Sequence, residues 1–217
     1  MHIEVGIIDP VRIAAANATA LSLFAAQTPV LIREPAVIIK TAAAALVFSV
    51  LMQSWHLPVG PSELHLIGAT TIYLLFGFRA TMMGFVLGLA LQTLIEPQDL
   101  LHIGVNSLSL MVPLMAVHLS YGRRLFGQGV ADRFTFARVL RLDAIYYAGV
   151  ATMVGFWLLL SNAATPFADW AHWAIAYMPV FALEAMITFA AVTLFGRKRD
   201  LPVLQRFSEL GRLNFAR

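Results

Sequence analysis

The first two residues offer several nitrogen atoms to one metal ion. His2 follows Met1, so the terminal amine, the peptide nitrogen of His2 and the His2 imidazole lie around one point. The amine loses its proton readily to a metal, and Ni(II) or Cu(II) can also displace the peptide proton. The resulting planar nitrogen set is the geometry that these two ions prefer. A histidine in second place also occurs by chance, and that alternative remains open.

A fourth nitrogen is available from His65, within the stretch VGPSELHLIGA at residues 59–69. Gly68 and Ala69 follow it closely, and small residues let another chain segment approach the backbone. An imidazole at the mouth of a helix bundle would complete a four-nitrogen site with the first two residues. The alternative is an interfacial histidine without a metal. Because the chain has no cysteine, thiolate metal sites are excluded.

Membrane helices are the elements predicted to position these residues. The chain is 59% hydrophobic and only 12% charged, whereas soluble domains carry about 25% charged residues. We therefore predict an all-α, multi-pass bundle of about seven transmembrane helices that forms one domain over residues 1–217. The predicted spans are 11–31, 36–54, 64–78, 80–95, 100–120, 144–161 and 170–195. The third and fourth are short and meet around Arg79, as a tight hairpin or a broken pair. A turn at Pro58, Gly60 and Pro61 precedes the third span.

The distribution of Lys and Arg predicts the orientation. With the N-terminus outside and the C-terminus in the cytoplasm, every basic residue except Arg12 falls on the inner side, as expected for a cell membrane protein. Residues 196–217 then form a cytoplasmic tail. All histidines except His118 fall on the outer side. The start of the chain lacks the pattern of a signal peptide, so residues 1–10 are expected to remain as a metal-binding segment.

The stretches MHIEVGIIDP, SELHLIGA and LLHIGVNSLSL (residues 100–110) resemble the CbiM/NikM family. Its members are substrate-binding membrane subunits of energy-coupling-factor transporters for cobalt and nickel. The resemblance implies that the N-terminal segment folds into the bundle and that Met1, His2 and His65 bind the metal. It also implies that Asn106 orients the site without binding the ion.

Two stretches depart from the family pattern. The family commonly has a His-x-Pro element before a Glu-Gly pair in the last span, where this chain has Tyr177-Met178-Pro179 and Glu184-Ala185. His102 replaces a small apolar residue and is a possible additional ligand. A carboxylate within an apolar span should face protein or water. Glu184 would then contact the N-terminal segment, carry a proton or hydrogen-bond a neighbouring helix.

The resulting hypothesis is a nickel or cobalt uptake subunit, not an enzyme, in a bacterial inner membrane. The metal ion is its transported substrate, and copper remains open by affinity order. No G-x-x-x-x-G-K-[ST] phosphate loop occurs, so we expect no bound nucleotide and a motor on separate coupling and ATPase subunits. Lipid is an expected partner and nucleic acid is not. The alternatives are a stand-alone proton-coupled carrier using Glu184, a membrane hydrolase and a structural membrane protein.

Overall fold

The computed structural model describes residues 6–60, 62–95, 97–127, 133–162 and 165–215. Its main elements, in chain order, are α1 Pro10–Arg33, α2 Pro35–Ser54, β1 His56–Val59, β2 Ser62–His65, α3 Ala69–Phe76, α4 Phe78–Gln92, α5 Ile103–Ser120, β3 Arg133–Phe134, α6 Phe136–Leu159, α7 Phe167–Ala176, α8 Met178–Gly196, α9 Pro202–Phe207 and β4 Asn214–Phe215. The prediction of a helical membrane bundle is confirmed, with two small two-stranded sheets in addition.

Four helical stretches in the described part of the chain are long and apolar enough to cross a membrane: Pro35–Ser54, Ile103–Ser120, Phe136–Leu159 and Phe167–Gly196. The third of them starts eight residues before the predicted span at 144, because the helix continues through the charged residues Arg138 and Arg141. The last consists of two helices. Tyr177 separates α7 from α8, close to Pro179, which has no N–H to donate to the carbonyl four residues earlier.

The predicted span 64–78 is wrong in its first part. His65 ends strand β2, and helix α3 starts only at Ala69. The eight residues of α3 extend about 12 Å, far less than the hydrocarbon thickness of a bilayer. The turn predicted before this span is present as a β-hairpin, in which Gly60 has a φ of 56°; Pro61 lies outside the described residues.

Helices α3 and α4 form a hairpin whose turn is Gly77, at a φ of 83°, rather than Arg79. The two ends of the hairpin that lie away from this turn, the start of α3 and the last turns of α4, pack against neighbouring turns of α2. A Cβ atom on Gly68 would meet Leu51, and one on Gly88 would meet Phe48. The small glycines of α4 let it pack closely on α2, so α2, α3 and α4 form one compact layer.

The described part of the N-terminal segment, residues 6–9, packs into the bundle. Ile8 is buried in a cluster with Val105 of α5 and Trp157 of α6. Asp9 then caps α1, because its carboxylate accepts hydrogen bonds from two main-chain N–H groups of the first turn. The chain therefore enters α1 from a position already held between α5 and α6.

The helix ends fall on two faces of the bundle. On one face, a single cavity is lined by the end of α1, the start of α2, the α3–α4 turn and the end of α5. On the other, the start of α1 meets the end of α6, where the Asn162 N–H donates to the Ile7 carbonyl and Arg12 donates to the Leu160 carbonyl. The first face, named the basic face below, carries Lys40, Arg79, Arg123 and Arg212.

The segment after Gly196 folds back onto the basic face. Strand β4 pairs in parallel with β3, and the Glu209 N–H donates to the Leu75 carbonyl at 2.7 Å. This contact supplies a donor to a carbonyl at the end of α3, where helical carbonyls lack a partner of their own. The C-terminal segment thus covers one end of the short helix.

Candidate metal-binding site

Of the three residues expected to bind the metal, the structure describes His65. Met1 and His2 lie outside the described residues. The His65 side chain is buried, with 4% of its surface exposed, at the end of strand β2. The hydropathy pattern instead predicts it at the start of the third membrane span. Its place on a strand matters because side chains two residues apart on a strand point to the same side.

The His65 ring lies between two oxygen acceptors. Its Nδ1 is 3.4 Å from the Met52 carbonyl oxygen, and its Nε2 is 3.1 Å from the Glu63 carboxylate. A neutral imidazole has one N–H, so it can donate to one of these acceptors only. If Nδ1 donates to the carbonyl, the Nε2 lone pair faces a carboxylate, and a cation placed there would be attracted by both groups. The ring of His56 lies 5.9 Å away.

Tyr177 fixes the main chain of His65. The His65 N–H donates to the Tyr177 hydroxyl oxygen at 3.1 Å, and that hydroxyl lies 3.3 Å from the His65 carbonyl oxygen, to which it can donate. This tyrosine stands where the family pattern has a histidine. The last span therefore contacts the main chain of His65 through the hydroxyl group of the Tyr177 side chain.

Glu184 fixes the residues that follow. Its buried carboxylate accepts hydrogen bonds from the Gly68 N–H, at 3.0 Å to each oxygen, and from the Ile67 N–H. These are donors at the N-terminal end of α3, where a negative charge is favoured. These hydrogen bonds agree with a Glu184 that hydrogen-bonds a neighbouring helix, since Gly68 is the N-cap residue of α3.

One turn along α8 from Glu184, the Thr188 hydroxyl lies 2.7 Å from that of Thr71 in α3. Side chains four residues apart share one helix face. The same face of α8 therefore holds both the N-terminal end of α3 and its first turn. The short helix is attached to α8 along half of its length.

His102 and Asn106 lie one turn apart at the start of α5, and both are buried. The Asn106 side-chain oxygen has no hydrogen-bond partner among the described residues. A buried acceptor without a partner costs about 1–3 kcal/mol, so this oxygen is available to orient another group. Asn17 attaches α1 to the same end of α5 by accepting from the Gly104 N–H at 2.7 Å.

Within the described ranges, no three His, Cys, Asp or Glu side chains form a group that could hold a metal. His65, Glu63 and Glu184 are brought into one region, and a complete ligand set would need residues from outside these ranges. Sequence reasoning missed Glu63 and Tyr177. The i, i+2 spacing of Glu63 and His65 would have indicated their pairing if the stretch had been identified as a strand.

Comparisons with known proteins agree on the class. The family model CbiM, described as the cobalt uptake substrate-specific transmembrane region, matches residues 2–201. A crystal structure of a transition metal transporter superposes with a TM-score of 0.68 at 21% identity, covering 95% of this chain and 97% of that chain. At that identity the likeness establishes the fold. No curated protein matches the sequence.

Proposed function

Because the chain belongs to the CbiM family of cobalt-uptake transmembrane proteins, we propose that it captures Ni(II) or Co(II) as the substrate-binding subunit of an energy-coupling-factor transporter. The metal is the transported substrate. The proposed ligands are the Met1 amine, the peptide nitrogen and imidazole of His2, and the imidazole of His65. Such a nitrogen-rich, planar set favours Ni(II) over Co(II).

The observation that carries this proposal is the buried His65, whose main chain is fixed by Tyr177 and whose ring adjoins Glu63. A ligand held in one orientation loses little conformational freedom when the metal binds. The buried position of Ile8 between α5 and α6 supports an N-terminal segment that enters the bundle. Five residues at most span about 18 Å, which limits how far His2 can lie from Ile7.

The proposed topology has seven traversals, with the N-terminus outside. It counts the α3–α4 hairpin as two traversals and α7 with α8 as one. The contacts between helix ends support it, since the start of α1 meets the end of α6 on the face opposite the basic face. Cytoplasmic enrichment in Lys and Arg would make the basic face the inner one. Residues 1–10 would be the metal-binding segment and residues 196–217 the cytoplasmic tail.

Energy for uptake would come from a transmembrane coupling subunit and ATPase subunits. Of the small-residue pairs in α1, Ala16 and Ala20 pack inside the bundle, whereas Ala14 and Ala18 are exposed. The exposed pair leaves a surface on which a partner helix can pack closely. The bacterial inner membrane is the proposed location.

Metal content tests the proposal. Protein with a native N-terminus, purified in mild detergent, should carry nickel or cobalt near one ion per chain by plasma mass spectrometry. His2→Ala and His65→Ala should lose it. His172→Ala is the matched control, because His172 is exposed and has no proposed role. Equal metal in all four proteins would contradict the proposed ligand set.

A further inference from the structure

The basic face contains a cavity of about 280 Å³ between the membrane helices. Residues from α1, α2, the α3–α4 turn, the end of α5 and the C-terminal segment line it. Because these are helix ends, the cavity lies at the level where the bundle meets one surface of the membrane. It is separate from His65, which lies in the β-hairpin at the other end of α2.

The cavity has more positively charged than negatively charged lining residues. Its charged lining residues, apart from His118, are Lys40, Arg79, Arg123, Arg212, Glu34 and Glu209. Four cations therefore face two carboxylates. Glu209 is already occupied, since it pairs with Lys40 at 2.6 Å and with Arg212 at 2.9 Å. Arg79, Arg123 and Glu34 make no ion pair with any residue in the described part of the chain. Two guanidinium groups therefore face one carboxylate, which leaves positive charge for an external anion.

Apolar side chains form the remaining wall. Val30, Val37, Phe76 and Phe78 line the same cavity as the arginines. A ligand that fits both parts must carry a negative group beside an apolar body. Small hydrophilic anions satisfy only the first requirement, whereas a phospholipid satisfies both at the membrane surface.

Contacts among the side chains themselves hold the walls of the cavity in place. Phe78 stacks on His118 with ring centroids 4.1 Å apart, and the His118 Nδ1 lies 3.0 Å from the Tyr73 hydroxyl. The Arg212 guanidinium lies over the Phe126 ring, 5.6 Å from its centroid. A preformed pocket binds with a smaller entropic cost than one that must be ordered.

We propose that this cavity binds the headgroup of an anionic phospholipid, with Arg79 and Arg123 contacting its phosphate. Basic pockets between membrane helices on the cytoplasmic side recognise such headgroups, and guanidinium groups match phosphate geometry through paired hydrogen bonds. The acyl chains lie against the apolar wall. This proposal does not depend on which metal the chain transports.

The test uses the full-length chain and phosphatidylglycerol as the probe. Native mass spectrometry in detergent should show phosphatidylglycerol retained more strongly than phosphatidylcholine. The double variant Arg79→Gln with Arg123→Gln should weaken that retention roughly tenfold or more, since each of the two cations attracts an anionic lipid. The control variant, Arg33→Gln with Arg124→Gln, removes the same charge from exposed residues that do not line the cavity.

A second readout guards against a folding defect. Phosphatidylglycerol in nanodiscs should raise the melting temperature of the wild type and the control, and this increase should at least halve in the Arg79/Arg123 variant. Equal lipid retention and equal thermal shifts in both double variants would overturn the proposal. The cavity would then be open to an acidic segment of a protein partner.

Discussion

The carboxylate of Glu184 in α8 accepts a hydrogen bond from the main-chain N–H of Gly68, 3.0 Å from each oxygen. Gly68 follows His65 by three residues and sits just before α3. A buried side chain of one helix therefore supplies acceptors to a stretch of chain that is neither strand nor helix. Without Glu184, the N–H groups of Ile67 and Gly68 would be buried without acceptors.

Two substitutions of Glu184 should distinguish a residue that positions the main chain after His65 from one that carries a proton. Glu184→Ala removes both acceptor oxygens at a cost of about 1–3 kcal/mol per buried N–H, and we expect nickel affinity to fall roughly tenfold or more by calorimetric titration. Glu184→Gln keeps one oxygen and should retain most of the affinity. Thr193→Val, further along α8, serves as the control, because the Thr193 hydroxyl has no hydrogen-bond partner among the described residues. If Glu184→Gln abolished uptake while binding metal normally, the proton-coupled carrier would gain support.

Tyr177→Phe should destabilise the protein by removing the hydroxyl that contacts the His65 backbone. The ring packs beside those of Tyr147 and Trp173, so the phenylalanine can occupy the same volume. An unsatisfied buried N–H costs about 1–3 kcal/mol, and chemical unfolding should show a loss of that size. Tyr146→Phe is the control, since the Tyr146 hydroxyl has no hydrogen-bond partner among the described residues. Equal stability of the two variants would argue against the Tyr177 contact.

Glu63→Gln should weaken metal binding without unfolding the protein. The carboxylate lies 3.1 Å from the His65 Nε2 and attracts a divalent cation bound there, but 35% of its side chain is exposed and solvent screens the attraction. We expect the dissociation constant of Glu63→Gln for the metal to be roughly two- to fivefold higher than that of the wild type. Lower salt should decrease the dissociation constant of the wild type only. Glu34→Gln, on the basic face, should leave the constant unchanged. An unaltered constant in Glu63→Gln would place the metal away from this carboxylate.

Gly77→Ala should strain the α3–α4 turn. Gly77 has a φ of 83° and a ψ of 168°, a conformation open essentially to glycine, and a Cβ there would lie 3.0 Å from Glu209 Cγ. The backbone strain alone corresponds to about 1–3 kcal/mol, which thermal unfolding in detergent can detect. Gly211→Ala meets nothing within 4 Å and should be neutral. Similar melting temperatures for both variants would contradict the turn geometry.

Hydropathy predicted α2 and α5 well because both are apolar over most of their length, and it predicted α6 only from residue 144, after the charged residues Arg138 and Arg141. It failed between residues 64 and 68, which it assigned to the start of a membrane span. There, β-pairing, Tyr177 just before α8 and Glu184 within α8 satisfy the backbone groups that a helix would have satisfied itself. The two side-chain partners lie more than a hundred residues away in sequence, so no local pattern could have indicated them. The same holds for the contact of Glu209 with the end of α3.

The short length of α3 has a mechanical consequence. Tyr177 and Glu184 bind the main chain of His65, Ile67 and Gly68, whereas Leu66 donates to the Trp55 carbonyl after α2. A movement of α8 would therefore act directly on this stretch. A tilt or slide of α8 would carry the His65 main chain along, while Met52 and its carbonyl stay with α2. The imidazole would be pulled between two helices, so that a force applied to α8 would change the position of His65, the proposed metal ligand.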